Sequence, residues 1–380
     1  MTGMADEQHI AGHARQKILV VTPRYMISGV ALAQTRFARA LAEAGHDVTL
    51  MIGRIDPHLQ PPAIPGIDIR ILGKHRTAGM FMPLCTYLRR ERPDVVFSAE
   101  DHLNALVLAA AAITGSKAKI SGSCRVTPFD TYRGPPLSKR WILKQVMRTL
   151  SWRADALTCV SKDMVGQYRR VFRNPPHTHV YNIVDDRESR ERMAEAVDEP
   201  WLIEKAVPMV LAAGSLQPWK DFGTLVEAMA LVAKDGRDAR LIILGEGPLY
   251  ADLQAQIEQF GLTDRIKLAG FTYNPLKYFV KADVFALSST VEGMPNVLVE
   301  AMMCGATPVS TDCETGPREL LQDGRYGILV PVGDARAMAD AIVQAIDHPI
   351  PAATLAEAVR PFTADRVIAR HFEMLGVDRS

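Results

Sequence analysis

Glu292 and Glu300 stand eight residues apart, and the residues around them define a place where a charged ligand could be held. An apolar run, Val284 to Leu287, reads as a buried strand. A turn-rich segment with Gly293, Met294, Pro295 and Asn296 follows, and Pro295 with Gly305 brackets a short helix. The order strand, loop, helix points free backbone N–H groups and a partial positive charge into the loop, which suits a phosphate. Glu292 lies in the loop and Glu300 about one turn into the helix, so both carboxylates can reach the space before the helix end. A ligand with an anionic middle and hydroxyls on both sides fits that space, and a nucleoside diphosphate sugar is one.

Further candidates lie in other loops that follow apolar runs. Gly214, Ser215 and Lys220 follow Val207–Ala213, and a lysine in a strand-to-helix loop suits a phosphate. Gly270 and Phe271 follow Ile266 to Ala269. Gly245-Glu246-Gly247 lacks the third glycine of a dinucleotide fingerprint, because Tyr250 holds that place, and reads as a tight turn. Gly29 lies in the loop after the first strand, where open α/β sheets bind ligands, though a glycine there also serves a turn alone. His102, just after Glu100-Asp101, is the one first-half histidine in a comparable strand-to-helix loop; it is either an acceptor-side group or simply solvated. No Asp-x-Asp pair and no Cys-x-x-Cys pair occurs, so neither a metal nor another cofactor is expected.

These loops need two sets of elements to carry them. With 380 residues, 48% hydrophobic, the chain can bury large cores, and two domains are expected. A net charge of +1 makes no case for nucleic acid. The five cysteines are widely spaced among apolar neighbours, as reduced thiols of a cytosolic protein would be. Residues 1–16 are polar without an apolar signal core and read as a disordered leader. No run of 18 or more apolar residues exists, so no transmembrane helix is expected.

From residue 17 onward, short apolar runs alternate with helical patterns: strands at 17–22, 46–52, 67–72, 94–98, 119–123 and 156–161, with 180–185 closing the first half. Residues 23–30 read as a loop. Residues 186–205 are charged and poor in apolar residues, the expected linker between domains at 17–185 and 206–354. The second half repeats the pattern, with a last strand pair at 324–330. Residues 355–380 include a helical tail that could end on either domain. Two such halves would face each other across a cleft. Residues 132–153 carry six basic residues and no acid, interleaved with Trp141, Leu143, Val146 and Trp152. Such a helix either docks on an anionic membrane surface or packs its apolar face and solvates the rest.

The stretch Leu287-Ser288-Ser289, Glu292-Gly293-Met294-Pro295-Asn296-Val297-Leu298, Glu300-Ala301-Met302 closely resembles the E-x7-E signature of the retaining glycosyltransferase family 4, which has the two-Rossmann GT-B fold. Thr307 to Cys313 with Gly316-Pro317-Arg318-Glu319, the Gly214…Lys220 loop and the segment Asn182 to Asp185 resemble the same family. The match is dense in the second half and one of layout in the first. The chain departs from the pattern twice: Ser215 replaces the usual arginine of the phosphate loop, with Arg24 or Arg318 as possible compensation, and Cys124-Arg125 stands where many members place a histidine.

The resemblance implies that Glu300 takes the ribose hydroxyls and that Glu292 faces the donor sugar. Backbone N–H groups from Gly293 through Val297 to Leu298 would surround sugar and phosphate, Lys220 would neutralise the diphosphate, and Gly270-Phe271 would line the base. The implied activity is retaining transfer of a hexose or N-acetylhexosamine, with UDP the expected nucleotide, to a glycan or lipid-linked acceptor in cell-surface polysaccharide assembly. The implied location is cytoplasmic, peripheral at the inner membrane face if residues 132–153 bind lipid. A GT-B nucleotide-sugar epimerase or hydrolase, or a non-catalytic sugar-nucleotide module, would share the second-half site.

Overall fold

The computed structural model describes residues 14–26, 29–60, 62–172 and 177–377; most of the expected leader therefore lies outside the described residues. The chain divides into two compact units, one up to Ile183 together with the residues from Ala364 on, the other Val184–Thr363.

The first unit holds β1 (Lys17–Tyr25), β2 (Asp47–Ile55), β3 (Ile67–Ile71), β4 (Val95–Ala99), β5 (Lys119–Cys124), β6 (Ala156–Cys159) and β7 (His177–His179). They form one parallel sheet in the order β3-β2-β1-β4-β5-β6-β7. The central runs of β1, β2 and β4 are largely apolar because helices cover both faces of a parallel sheet. Ile18, Val20, Leu50, Val95 and Phe97 pack beneath the helix Gly29–Glu43 through Phe37 and Leu41. The helix Ala364–Leu375 completes that layer with Val367, Ile368, Phe372 and Leu375.

The second unit holds β8 (Met209–Ala213), β9 (Arg240–Leu244), β10 (Ile266–Gly270), β11 (Val284–Leu287), β12 (Thr307–Thr311) and β13 (Ile328–Val330). This sheet is also parallel, in the order β10-β9-β8-β11-β12-β13. Both sheets are doubly wound: the strand order reverses direction between β1 and β4 in one and between β8 and β11 in the other. Ligands of open α/β sheets bind at the carboxyl ends of the strands at such a reversal.

Several elements differ from those expected. Pairing of Arg24 with Arg54 and Tyr25 with Ile55 carries β1 past Pro23; a proline costs no ladder bond where its N–H is not called upon. Residues 180–185 form no strand; the N–H groups of Val184 and Asp185 instead donate to Phe362 O, with one isolated bridge from Asp185 to Thr363. β7 lies upstream of that segment. Residues 186–205 are largely helical, at Arg187–Met193 and Pro200–Ile203. The first of these helices is held by a capping box in which Asp186 Oδ1 accepts from Ser189 N and Ser189 Oγ accepts from Asp186 N. The expected strand pair at 324–330 is one strand. The helical tail is two helices, Ala352–Val359 and Ala364–Leu375, parted at Pro361.

Candidate functional site

The reversal in the second sheet brings the loops after β8 and β11 side by side. Lys220 closes a short 3-10 turn, Pro218–Lys220, at the end of the first loop. Its Nζ lies 2.5 Å from Glu292 Oε1 in the second. Both side chains are largely shielded, 16% and 11% exposed. Ser289 Oγ donates to the same carboxylate oxygen at 2.7 Å. Thr315 Oγ1, from the loop after β12, donates to Glu292 O. Thr311 Oγ1 in turn donates to Ser289 O at 2.6 Å. Ser288 Oγ and Thr290 N donate to Lys220 O and Trp219 O, each at 2.8 Å, so the two loops are stitched through backbone as well as charge.

The remaining strand ends are tied in the same way. Gly214 N donates to Leu244 O at 2.9 Å, and Gly245 N to Gly270 O at 2.7 Å. A Cβ on Gly245 would stand 1.9 Å from Gly214 O, and one on Gly247 2.5 Å from Leu216 O. The glycine pair read as a tight turn is thus required by the close crossing of the loops after β8 and β9. Gly214 lies under Lys220, whose Cε would be 3.3 Å from a Cβ there. Phe271, 40% exposed, and Tyr273, 68% exposed, meet edge to face beyond β10, with ring centres 4.9 Å apart. This pair offers an aromatic surface next to Gly270.

The helix after β11 runs Asn296–Met303, with Pro295 at its N-cap. Val297 is partly shielded and Leu298 buried; Leu298 N donates to Pro295 O at 3.0 Å. Gly293 and Met294 lie against Gly316, where a Cβ would approach Pro295 Cδ to 2.8 Å and Gly293 O to 3.1 Å. Glu300 is partly exposed on the helix. Burial, with the Glu300 charge as second cause, pushes the Cys304 thiol up to about 12. Burial and then the Glu292 charge push Cys313 to about 11. Neither cysteine is a nucleophile at neutral pH.

The structure thus gathers Lys220, Glu292, Gly214 and the start of the 296–303 helix, with Gly270 and Phe271 two strands away. Ser215 is exposed at the rim, and its carbonyl accepts from Gln217 N at 2.8 Å. Arg318, a possible stand-in for the missing arginine, is engaged by Asp312 through its Nε at 3.0 Å and by Asp323 at 3.3 Å. Ser289 and Thr315 hold Glu292 and were not singled out by sequence; short hydroxyl residues in strand-end loops carry little signal on their own.

Arg24, Gly29 and His102 belong to the first unit. Gly29 opens the helix that follows β1. His102 is exposed, with Nε2 3.2 Å from Glu100 Oε2. Glu100 holds φ 77°, a strained conformation for a residue with a Cβ. Beneath it Asp101 is buried and accepts from Tyr132 Oη at 2.5 Å and Tyr168 Oη at 2.8 Å. Burial raises the Asp101 pKa against these hydrogen bonds. Among the described residues no group of three or more His, Cys, Asp or Glu could hold a metal, and no helix is long and apolar enough to cross a membrane.

Two doubly wound parallel sheets in one chain are the GT-B architecture. The structure of Anabaena Alr3699/HepE in complex with UDP and glucose aligns with a TM-score of 0.73 at 19% identity, covering 95% of this chain and 100% of that one. The apo form of the lipopolysaccharide outer core galactosyltransferase WaaB gives 0.71 at 16% identity, covering 94% and 98%. At such identities the likeness is one of fold.

Residues 207–348 match the glycosyl transferases group 1 family, and residues 28–182 match the glycosyl transferase 4-like domain. These matches run through both units, and the chain belongs to the glycosyltransferases. Among relatives, an N-acetylgalactosamine-N,N'-diacetylbacillosaminyl-diphospho-undecaprenol 4-alpha-N-acetylgalactosaminyltransferase of Campylobacter jejuni is 39% identical over 129 residues, 34% of either chain. The chain thus spans about a third of that relative's length in the match. The N-acetyl-alpha-D-glucosaminyl L-malate synthase of Bacillus anthracis is 23% identical over 330 residues, 84% of either chain.

Proposed function

We propose that the chain is a retaining, metal-independent glycosyltransferase. It moves a hexose or N-acetylhexosamine from a UDP-linked donor, held on the second unit, to a glycan or lipid-linked acceptor held on the first. The observation that carries this reading is the shielded Lys220–Glu292 pair at the strand-order reversal, beside a helix N-terminus. Cation, carboxylate and a helix N-terminus stand together where a sugar diphosphate needs all three. In this reading the donor's hydroxyls take Glu292, and the diphosphate takes Lys220 and backbone N–H groups between Gly293 and Val297. Glu300 receives the ribose hydroxyls, Phe271 borders the base, and His102 stands on the acceptor side.

The chemistry needs no protein nucleophile. The acceptor oxygen bonds to the anomeric carbon on the face from which the phosphate leaves. The carbon–phosphate oxygen bond breaks with its electron pair, and the departing phosphate takes the acceptor's proton. Negative charge grows on the diphosphate, where a fixed lysine and helix end stabilise it.

The acceptor reading rests on the helix Lys139–Leu150 and its flanks. Only Met147 of that helix is buried. Leu137 and Trp152 are 78% and 73% exposed, beside exposed Arg133, Lys139, Arg140 and Arg148. A surface with cations, a tryptophan and no acid suits anionic lipid, and the Campylobacter relative's name carries a diphospho-undecaprenol. We therefore place the protein at a cytoplasmic membrane face in cell-surface polysaccharide assembly. The exposed Ser215, without the arginine's phosphate grip, favours a non-catalytic module as the second reading. The protein incubated with radiolabelled nucleotide sugars and a membrane extract separates them. Label moved to an acceptor with its anomeric configuration kept supports transfer; donor consumed without acceptor indicates a hydrolase or epimerase; binding without turnover indicates the module.

A further inference from the structure

The first unit contains a polar cavity that none of these roles uses. It lies at the carboxyl ends of β4 and β5, beneath the helices Gly29–Glu43 and Ala364–Leu375, and is a small space partly open to solvent. Arg125 lines it, with Gln34, Ser121, Asn182 and His371. Its Nη1 donates to Asn182 Oδ1, a neutral acceptor. Its Nε is buried and has no hydrogen-bond partner among the described residues. No Asp or Glu is among the described residues that line the cavity. Burial lowers the Arg125 pKa to about 10, opposed first by the Cys124 side chain and then, through space, by Glu100.

Three other side chains add unmatched polar atoms. Gln34 Oε1, Ser121 Oγ and His371 Nδ1 are buried without a partner, in residues 3%, 1% and 9% exposed. A buried guanidinium without a counter-charge is costly, and unpaired buried polar atoms add to the cost. Arg125 Nε, Ser121 Oγ and His371 can each donate to a small negative ligand that accepts several hydrogen bonds, whereas Gln34 Oε1 accepts and is satisfied by a hydroxyl that such a ligand carries. The Nε edge of the guanidinium, left unclaimed by Asn182, presents two parallel donors to an oxyanion. Ser121 supplies a hydroxyl donor, and the neutral His371 ring supplies an N–H in one of its two tautomers.

We propose that this cavity is an oxyanion-binding site of the first unit, with Arg125 as its receptor and a phosphate or carboxylate group as its ligand. It is separate from the Lys220 site, and its existence does not depend on the donor reading. The oxyanion is either a free ion or one group of a larger molecule.

The test is a titration of the full-length protein with inorganic phosphate, followed by calorimetry and by the Arg Nε–H nitrogen correlation spectrum. It is run with UDP present so that the Lys220 site is occupied. The expected result is saturable binding that shifts one Nε–H resonance. Arg125→Gln weakens binding at least about tenfold, the loss expected for charge-assisted hydrogen bonds, whereas Lys220→Gln leaves it within about twofold. Arg125→Lys keeps the charge without the fork and loses the shifted resonance. Methyl phosphate then separates the sources: competition with phosphate marks a group carried on a larger molecule, and no competition marks a free ion. Should Arg125→Gln fail to fold, the wild-type resonance shift remains the criterion. No saturable shift in the wild type, or binding that follows Lys220 and not Arg125, overturns the proposal. Failure of the donor reading would show separately, as absent UDP binding in the wild type.

Discussion

Lys220 Nζ and Glu292 Oε1 face each other at 2.5 Å although 72 residues separate them. Ser289 holds the same oxygen, so the carboxylate is fixed from two sides. Each charge is the other's principal compensation. Lys220→Met or Glu292→Gln alone therefore leaves an unpaired, mostly shielded group and costs about 1–3 kcal/mol. The double variant costs less than the sum of the singles. Urea unfolding of all four proteins measures the coupling, and strictly additive losses would show that the contact carries no energy.

Donor binding provides a second check. Glu300→Ala and Lys220→Ala should each weaken binding of a UDP-sugar by roughly 10- to 100-fold, the range of one lost charge-assisted contact. Calorimetry with a panel of nucleotide sugars reads this directly, and it should be unchanged by a chelator. Undiminished binding in both variants removes the site from the second unit.

The proposed membrane association is tested on the exposed face around Lys139–Leu150. Flotation with vesicles containing anionic lipid should carry the protein at low ionic strength and release it as salt rises, since attraction falls off within a Debye length. Replacing Arg140 and Arg148 by Gln together should cut the bound fraction. If the wild type stays with the aqueous fraction at low salt, a water-soluble acceptor becomes the better reading.

Acid stability has a identifiable contributor. His177 packs between Tyr168 and Phe172, and both ring nitrogens lack partners among the described residues. Burial pushes its pKa from 6.5 down to about 4. As pH falls, the unfolded chain takes up this proton first. The contribution is complete above about 6.5 and is lost as pH falls toward 4, on the order of 3 kcal/mol. His177→Phe should match or exceed the wild type at pH 5 and flatten the stability profile between those limits, as followed by thermal melts.

The glycine crossing gives a steric prediction. Gly245→Ala places a methyl 1.9 Å from Gly214 O and should lower stability by more than about 3 kcal/mol. At Gly236, where nothing lies within 4 Å, alanine meets only the positive φ of 78° and should cost about 1 kcal/mol. Comparable melting temperatures for the two variants would refute the close approach.

Apolar strands were readable from sequence because both faces of a parallel sheet are covered, so β8, β11 and the Ile18–Val21 part of β1 appear as unbroken hydrophobic runs. β7 was not, because His177-Thr178-His179 has no apolar signal and owes its place to pairing with β6. Val180, Ile183 and Val184 resemble a strand because they are buried, but Val180 N donates to Cys159 O and Val184 N to Phe362 O, and no ladder forms. The helices at 187–203 bury only Ser189 and Leu202, which gives no periodic stripe to detect. In the site, Glu292, Glu300 and Lys220 stood out by type and loop position. The Lys220–Glu292 pairing did not, since the strand order that joins their loops is a property of the whole sheet. Arg125 was passed over as a departure from a motif, and its unmatched Nε becomes visible only once Gln34 and His371 close over it.

The helix Ala364–Leu375 belongs to the core that begins at Ile18. A ribosome making this chain will have released every strand of the first sheet, and then the whole second unit, before Phe372 and Leu375 emerge. Until then Phe37 and Phe97 lack the aromatic edge that His371 supplies, and the first-made unit cannot be closed. The core of the second unit lies wholly upstream of residue 364 and needs nothing from that tail. A released chain truncated before residue 364 should accordingly protect β8 to β13 from protease while leaving β1 to β7 vulnerable.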